Sequence, residues 1–122
     1  MTTSTATDSL DIAVVAARAA HDKGATDILV IDVGDLLGIC GYFVIATASN
    51  PRLVKAVVDE VEEQVSERFD DRPRSVEGAT ERRWVLLDYG DVVVHVFHAE
   101  ERDYYRIERL YSDAEQVDWQ QR

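Results

Sequence analysis

The chain has 122 residues, with 13 Lys and Arg against 24 Asp and Glu for a formal net charge of −11. That length supports one domain able to bury a core without staples. The acidity repels phosphate backbones, which disfavours direct nucleic-acid binding; it suits either a basic protein partner or solubility alone. A lone cysteine, Cys40, rules out an internal disulfide, and the apolar runs are too short to span a membrane. With no secretory signal, the expectation is a cytoplasmic protein.

Residues 1–7 are Thr, Ser and Ala without apolar period and are expected to be a disordered lead-in to a domain over residues 8–119, with 120–122 as a tail. Asp8 and Ser9 offer caps for a helix from Leu10 to Lys23, stopped by Gly24; His21 in its last turn suits the helix dipole. Thr26 to Val33 reads as a central strand, Gly34 to Gly41 as a loop, and Tyr42 to Thr47 as a second strand. Asn50 followed by Pro51 starts a helix with a mechanism, because Asn50 accepts from free amides and Pro51 sits where no amide proton is needed. That helix runs to Phe69 on a stripe of Val54, Val58, Val61 and Val65. Arg74 to Val76 predicts a short strand before the Glu77 to Glu81 turn.

Next, Trp84 to Tyr89 and Val92 to Phe97 are apolar, β-branched runs meeting at Gly90-Asp91, the signal of a two-residue hairpin loop. This fixes the register: Trp84 faces Phe97, Val85 faces Val96, Leu86 faces His95, Leu87 faces Val94 and Asp88 faces Val93. Directly opposed residues share a face. One face is plain core: Val85, Leu87, Tyr89, Val92, Val94 and Val96. The other carries Trp84, Leu86, Asp88, Val93, His95 and Phe97, and is either a functional surface or a second core covered by a helix layer. His98 to Tyr105 follows as a short helical turn, and Arg106 to Tyr111 either extends it or forms an edge strand.

This order predicts an α/β fold, with helices flanking a mixed β-sheet of about five strands. Two main helices leave part of one sheet face bare. No enzyme signal stands out. His95 and His98 fall on opposite faces of a strand and cannot share a metal. Gly34-Asp35 and Gly38 lack the lysine and spacing of a phosphate loop. Asp32 with Asp35, or Asp88 with Asp91, would suit Mg²⁺, but each pair flanks a turn where Asp is expected anyway.

Several segments together resemble the ribosomal silencing factor family, also called the Iojap family. They are Asp27 to Val33, Tyr42 to Thr47, Ser49-Asn-Pro-Arg52, the Trp84 to Phe97 block, Arg102-Asp-Tyr-Tyr105 and Glu108-Arg-Leu-Tyr-Ser-Asp-Ala114. Two positions depart from the family pattern: Gly41 stands where an acid is usual, and Ala48 where a glycine is. The resemblance implies a nucleotidyltransferase-like fold without the catalytic motif, no enzymatic activity, no cofactor and no metal. It further implies binding to the large ribosomal subunit through its fourteenth protein, on the face where the small subunit docks. Translation would then be repressed under nutrient limitation, with a role in large-subunit biogenesis and a homodimer also implied.

A basic ribosomal partner suits this acidic chain, and aromatic residues with interspersed polar groups are the composition of an interface centre. The expected contact centre is Trp84, Asp88, His95 and Phe97, flanked by Tyr104, Tyr105, Glu100 and Glu101, with the acids pairing to the partner's Lys or Arg. The same aromatics read equally as core, and the same acids as solvated surface. Two other readings remain open: a domain retaining nucleotide and Mg²⁺ binding at Asp32, Asp35, Asp88 or Asp91, and an adaptor for another basic protein.

Overall fold

The computed structural model describes residues 5–34 and 41–121, with side chains from Ser9 onward. Helix α1 (Thr5–Asp22) is followed by strands β1 (Thr26–Asp32) and β2 (Tyr42–Ala48), helix α2 (Pro51–Phe69), and strands β3 (Ser75–Glu77), β4 (Trp84–Asp88) and β5 (Val92–His98). A short helix α3 (Ala99–Tyr105), a 3-10 turn (Ile107–Tyr111), strand β6 (Glu115–Gln116) and a last 3-10 turn (Trp119–Gln121) complete the chain. The six strands form one mixed sheet in the order β3-β4-β5-β2-β1-β6. Only β2 and β5 run parallel; the other neighbours are antiparallel. An α/β fold with flanking helices is what the element order predicts.

The hairpin register is the one read from Gly90-Asp91. Trp84 pairs with Phe97, Val85 with Val96, Leu86 with His95, Leu87 with Val94 and Asp88 with Val93. Gly90 has φ 92°, which a two-residue loop requires and an L side chain resists. Asn50 caps α2 as expected: its Oδ1 accepts from the Leu53 amide at 2.8 Å, and Pro51 occupies the first turn. At the other end of α1, Gly24 (φ 94°) follows the last turn, and the amides of Gly24 and Ala25 return to the carbonyls of His21 and Ala20.

Helices α1 and α2 pack together on one face of the sheet. Val54, Val57, Val61 and Val65 of α2 are fully buried against Val44, Val85, Leu87, Val92, Val94 and Val96, and five alanines of α1 complete the layer. Burying each such valine contributes about 1.5–3 kcal/mol. Tyr89 belongs to this core, and burial raises its phenol pKa above the ordinary value, helped by Glu62 and Asp71.

Four expectations change. Helix α1 begins at Thr5, so residues 5–7 are helical rather than a lead-in. Ser9 does not start the helix; it is buried within it and its hydroxyl donates to Asp91 Oδ2 at 3.3 Å, so tertiary packing uses the residue that local chemistry offers as a cap. Among the described residues the sheet has six strands where about five are expected, because two residues of the tail pair with the end of β1. Residues 107–111 neither extend α3 nor form a strand: Arg106 adopts φ 45°, ending the helix, and a 3-10 turn follows. The expectations for Asp35, Gly38 and Cys40 lie outside the described residues.

Candidate functional site

The second sheet face is built by alternation. Phe43 and Ile45 of β2, Val93, His95 and Phe97 of β5, and Trp84 of β4 point away from α1 and α2, and the 3-10 turn lays Ile107 and Tyr111 over part of them. The rings form one connected stack. Tyr104 meets Tyr105 edge-on at 4.9 Å, Tyr105 lies 5.0 Å from Trp84, and Trp84 stacks on Phe97 at 4.7 Å. From His95 the chain of rings continues to Phe43 at 4.9 Å and on to Tyr111 at 5.2 Å.

Exposure grades along this stack. Phe97 is 0% exposed and His95 5%, Trp84 is half-buried, Tyr105 is 49% exposed and Tyr104 81%. Leu110, on the 3-10 turn that follows α3, is 75% exposed. Trp84 donates its indole N–H to His95 Nδ1 at 3.1 Å, which leaves the proton of the neutral ring on Nε2. That Nε2 is buried without a hydrogen-bond partner, and burial lowers the imidazole pKa to about 4. At neutral pH, His95 is therefore an uncharged member of the stack.

The chain end that carries the exposed rings is pinned by a buried cation. Arg102 donates from Nη1 to Thr47 Oγ1 at 2.7 Å and to the Asp27 carbonyl at 2.8 Å, and from Nε to Glu108 at 3.2 Å. These bonds tie α3 to β1, β2 and the following turn, so Tyr104, Tyr105 and Leu110 are held in place over a rigid sheet.

The eight expected contact residues thus separate into groups. Tyr104 and Tyr105 are surface, and Trp84 is half-buried beneath Tyr105. Phe97 and His95 are core in this chain, supporting the stack from below. Asp88 is spent on the hairpin, accepting from the Gly90 amide at 2.8 Å. Glu100 and Glu101 are held within the chain by Arg83, whose Nη2 reaches Glu100 at 2.7 Å and Nε reaches Glu101 at 2.5 Å. Those two hydrogen bonds, Glu101's first, raise the Arg83 pKa. The carboxylates weighed for Mg²⁺ likewise have local duties: Asp32 accepts from the Gly34 amide, and Asp91 accepts from Ser9.

Phe43, Tyr111, Leu110, Arg83 and Arg102 were missed in the sequence. Phe43 follows from the parallel β2–β5 register, and Tyr111 from the 3-10 turn folding back over Phe43, neither of which a local pattern announces. Leu110 had a signal, a large apolar residue beside Arg109 in a segment that carries the family resemblance.

The profile of the family described as "Ribosomal silencing factor during starvation" matches residues 6–122. The chain belongs to the ribosomal silencing factor family. A protein named ribosomal silencing factor RsfS from Bacillus subtilis is 42% identical over 104 residues, covering 85% of this chain and 87% of that one. Protein Iojap of Zea mays, named as chloroplastic, is 33% identical over 117 residues, which are 91% of this chain and 48% of the maize protein. A crystal structure from Chromobacterium violaceum superposes with a TM-score of 0.80 at 36% identity, covering 85% of this chain and 86% of that one. One from Bacillus halodurans gives 0.74 at 33%, covering 92% and 98%. Among the described residues of this family member, no helix is long and apolar enough to cross a membrane.

Proposed function

We propose that this silencing-factor domain binds the large ribosomal subunit through a basic protein of that subunit, its fourteenth, and by its bulk prevents the small subunit from joining. The observation that carries the reading is the exposed end of the ring stack. Tyr104, Tyr105 and Leu110 stand in solvent, Trp84 lies against Tyr105, and the buried Arg102 ties α3 and the following turn to β1 and β2. Large apolar groups are rarely left exposed together on a surface that serves no partner, and a pre-fixed aromatic anchor loses little entropy on docking. The net charge of −11 suits a basic protein and repels bare phosphate, so the contact falls on ribosomal protein rather than rRNA.

Steric exclusion needs no cofactor and no catalytic group. It acts as a repressor of translation, and family membership supports a regulatory rather than an enzymatic role. Tyr104, Tyr105, Leu110 and the accessible part of Trp84 make the direct contacts; His95 and Phe97 act beneath them.

Sedimentation of purified small and large subunits through a sucrose gradient, with and without the protein, tests the reading. Migration with the large subunit and a reduced joined-particle peak is the expected result. Protein left at the top of the gradient while joined particles form normally would refute it.

A further inference from the structure

A cleft of about 1050 Å³ lies on the outer side of the helix layer, bounded by α1, α2 and the last 3-10 turn. That volume is at the upper end of the range for small-molecule sites. Val14, Val15 and Phe69 supply an apolar floor, Trp119 forms a wall, and Arg18, His21 and Arg68 stand exposed at the rim.

The helices run antiparallel here. Gln64 Nε2 donates to Asp22 Oδ2 at 3.4 Å, and Lys23 Nζ lies 3.9 Å from Glu60. One turn from the Asp22–Gln64 contact on each helix come Arg18 and Arg68, so two guanidinium groups meet the cleft from opposite walls. Among the described residues, Lys23, Lys55, Arg83, Arg102 and Arg106 each lie against a carboxylate, whereas Arg18 and Arg68 have no ion pair and no side-chain hydrogen bond. In a chain of net charge −11, these facing arginines leave a local surplus of positive donors. The cleft's two acids stand to either side along α1. At 1.5 Å of rise per residue, Asp11 is about 10 Å and Asp22 about 6 Å from the level of Arg18, and Asp22 already accepts from Gln64.

The aromatic wall is fixed as well. Trp119 donates its indole N–H to the Ile28 carbonyl at 3.3 Å, and its ring lies 5.8 Å from that of His21. His21 follows Arg18 by less than one helical turn, so the indole and the arginine pair fall within the span of one nucleotide-sized molecule.

We propose that this cleft binds a small phosphomonoester carrying an aromatic ring, the phosphate between Arg18 and Arg68 and the ring against Trp119. Each guanidinium presents a planar fork of donors that matches phosphate oxygens, and a ring on the indole adds stacking. The acidic chain selects against nucleic acid: the repeated phosphates of a polymer meet Asp11, Asp22 and the wider negative surface, whereas one compact dianion sits between the arginines. The cleft and the ring stack lie on opposite sides of the sheet, so an occupied cleft leaves the docking rings free.

Isothermal titration of the full chain with adenosine monophosphate and, separately, with O-phosphotyrosine tests the site and tells a nucleotide from another aromatic phosphate. At least one of the two is expected to bind at one equivalent, and the tighter of them identifies the source. Adenosine and inorganic phosphate, each with half of the chemistry, should bind at least about tenfold more weakly. Arg18→Gln and Arg68→Gln, both at exposed positions, should each weaken binding at least about tenfold while melting like the wild type. Trp119→Leu should weaken it about five- to hundredfold. Absence of saturable binding of both esters at about 1 mM would overturn the site. So would binding that survives the double variant Arg18→Gln with Arg68→Gln, or inorganic phosphate that binds as tightly as either ester.

Discussion

The two faces of the sheet are closed by different means. On one, two long amphipathic helices lay valines and alanines over β2, β4 and β5, and that layer is buried almost throughout. On the other, a seven-residue helix and a 3-10 turn cover only part of a field of rings, so one stack runs from a fully buried Phe97 to a Tyr104 standing in solvent. The first face is shaped for stability alone. The second uses its buried end to hold its exposed end still, which is what a docking surface needs and what a loose aromatic patch lacks.

The sharpest way to break this contrast is at the buried end. Phe97→Ala should cost about 3–5 kcal/mol, as deletion of a fully buried ring does, and the loss should appear in denaturant melts before any partner is added. A cost below about 1 kcal/mol would mean that the second face is not a core at all.

Acid probes the same face through His95. Burial holds its folded-state pKa at about 4, below the ordinary 6.5. The unfolded chain therefore binds the proton first. The stability tied to a neutral His95 is complete above pH of about 6.5 and is lost as pH falls toward about 4, by up to about 3 kcal/mol. A difference curve between wild type and His95→Phe isolates it from the carboxylates; a flat difference would remove His95 from the buried stack.

Arg102→Met tests the pin. It leaves Thr47 Oγ1 and the Asp27 carbonyl without their donor and should cost about 2 kcal/mol. Faster amide exchange should appear in α3 rather than in α1 or α2, which share no bond with this residue. Smaller still is Trp84→Phe, which keeps a ring in the stack but removes the N–H that His95 Nδ1 accepts. About 1 kcal/mol is expected by chemical denaturation.

Much of this architecture was legible because it is local. The Gly90-Asp91 loop fixed both faces of the hairpin, and Asn50-Pro51 with its valine stripe fixed α2. What stayed hidden depends on pairing across the chain. Nothing in Tyr42 to Ala48 announces that it lies parallel to β5, yet that register is what puts Phe43 beside His95. The sequence left Trp84 and Phe97 open between core and contact because burial on that face is decided by where α3 folds back, and that depends on Arg102 reaching β1 and β2. Ser9 shows the same rule from the other side: a residue fit to cap a helix is spent instead on the hairpin turn.

The central claim is that the exposed end of the stack, and not the sheet beneath it, contacts the ribosome. Tyr104→Ala combined with Leu110→Ala tests it, because both side chains stand in solvent and each change should alter stability by no more than about 0.5 kcal/mol. In gradient sedimentation with purified subunits, this variant should melt like the wild type yet fail to travel with the large subunit, leaving subunit joining intact. A variant that co-sediments and blocks joining as the wild type does would contradict the account.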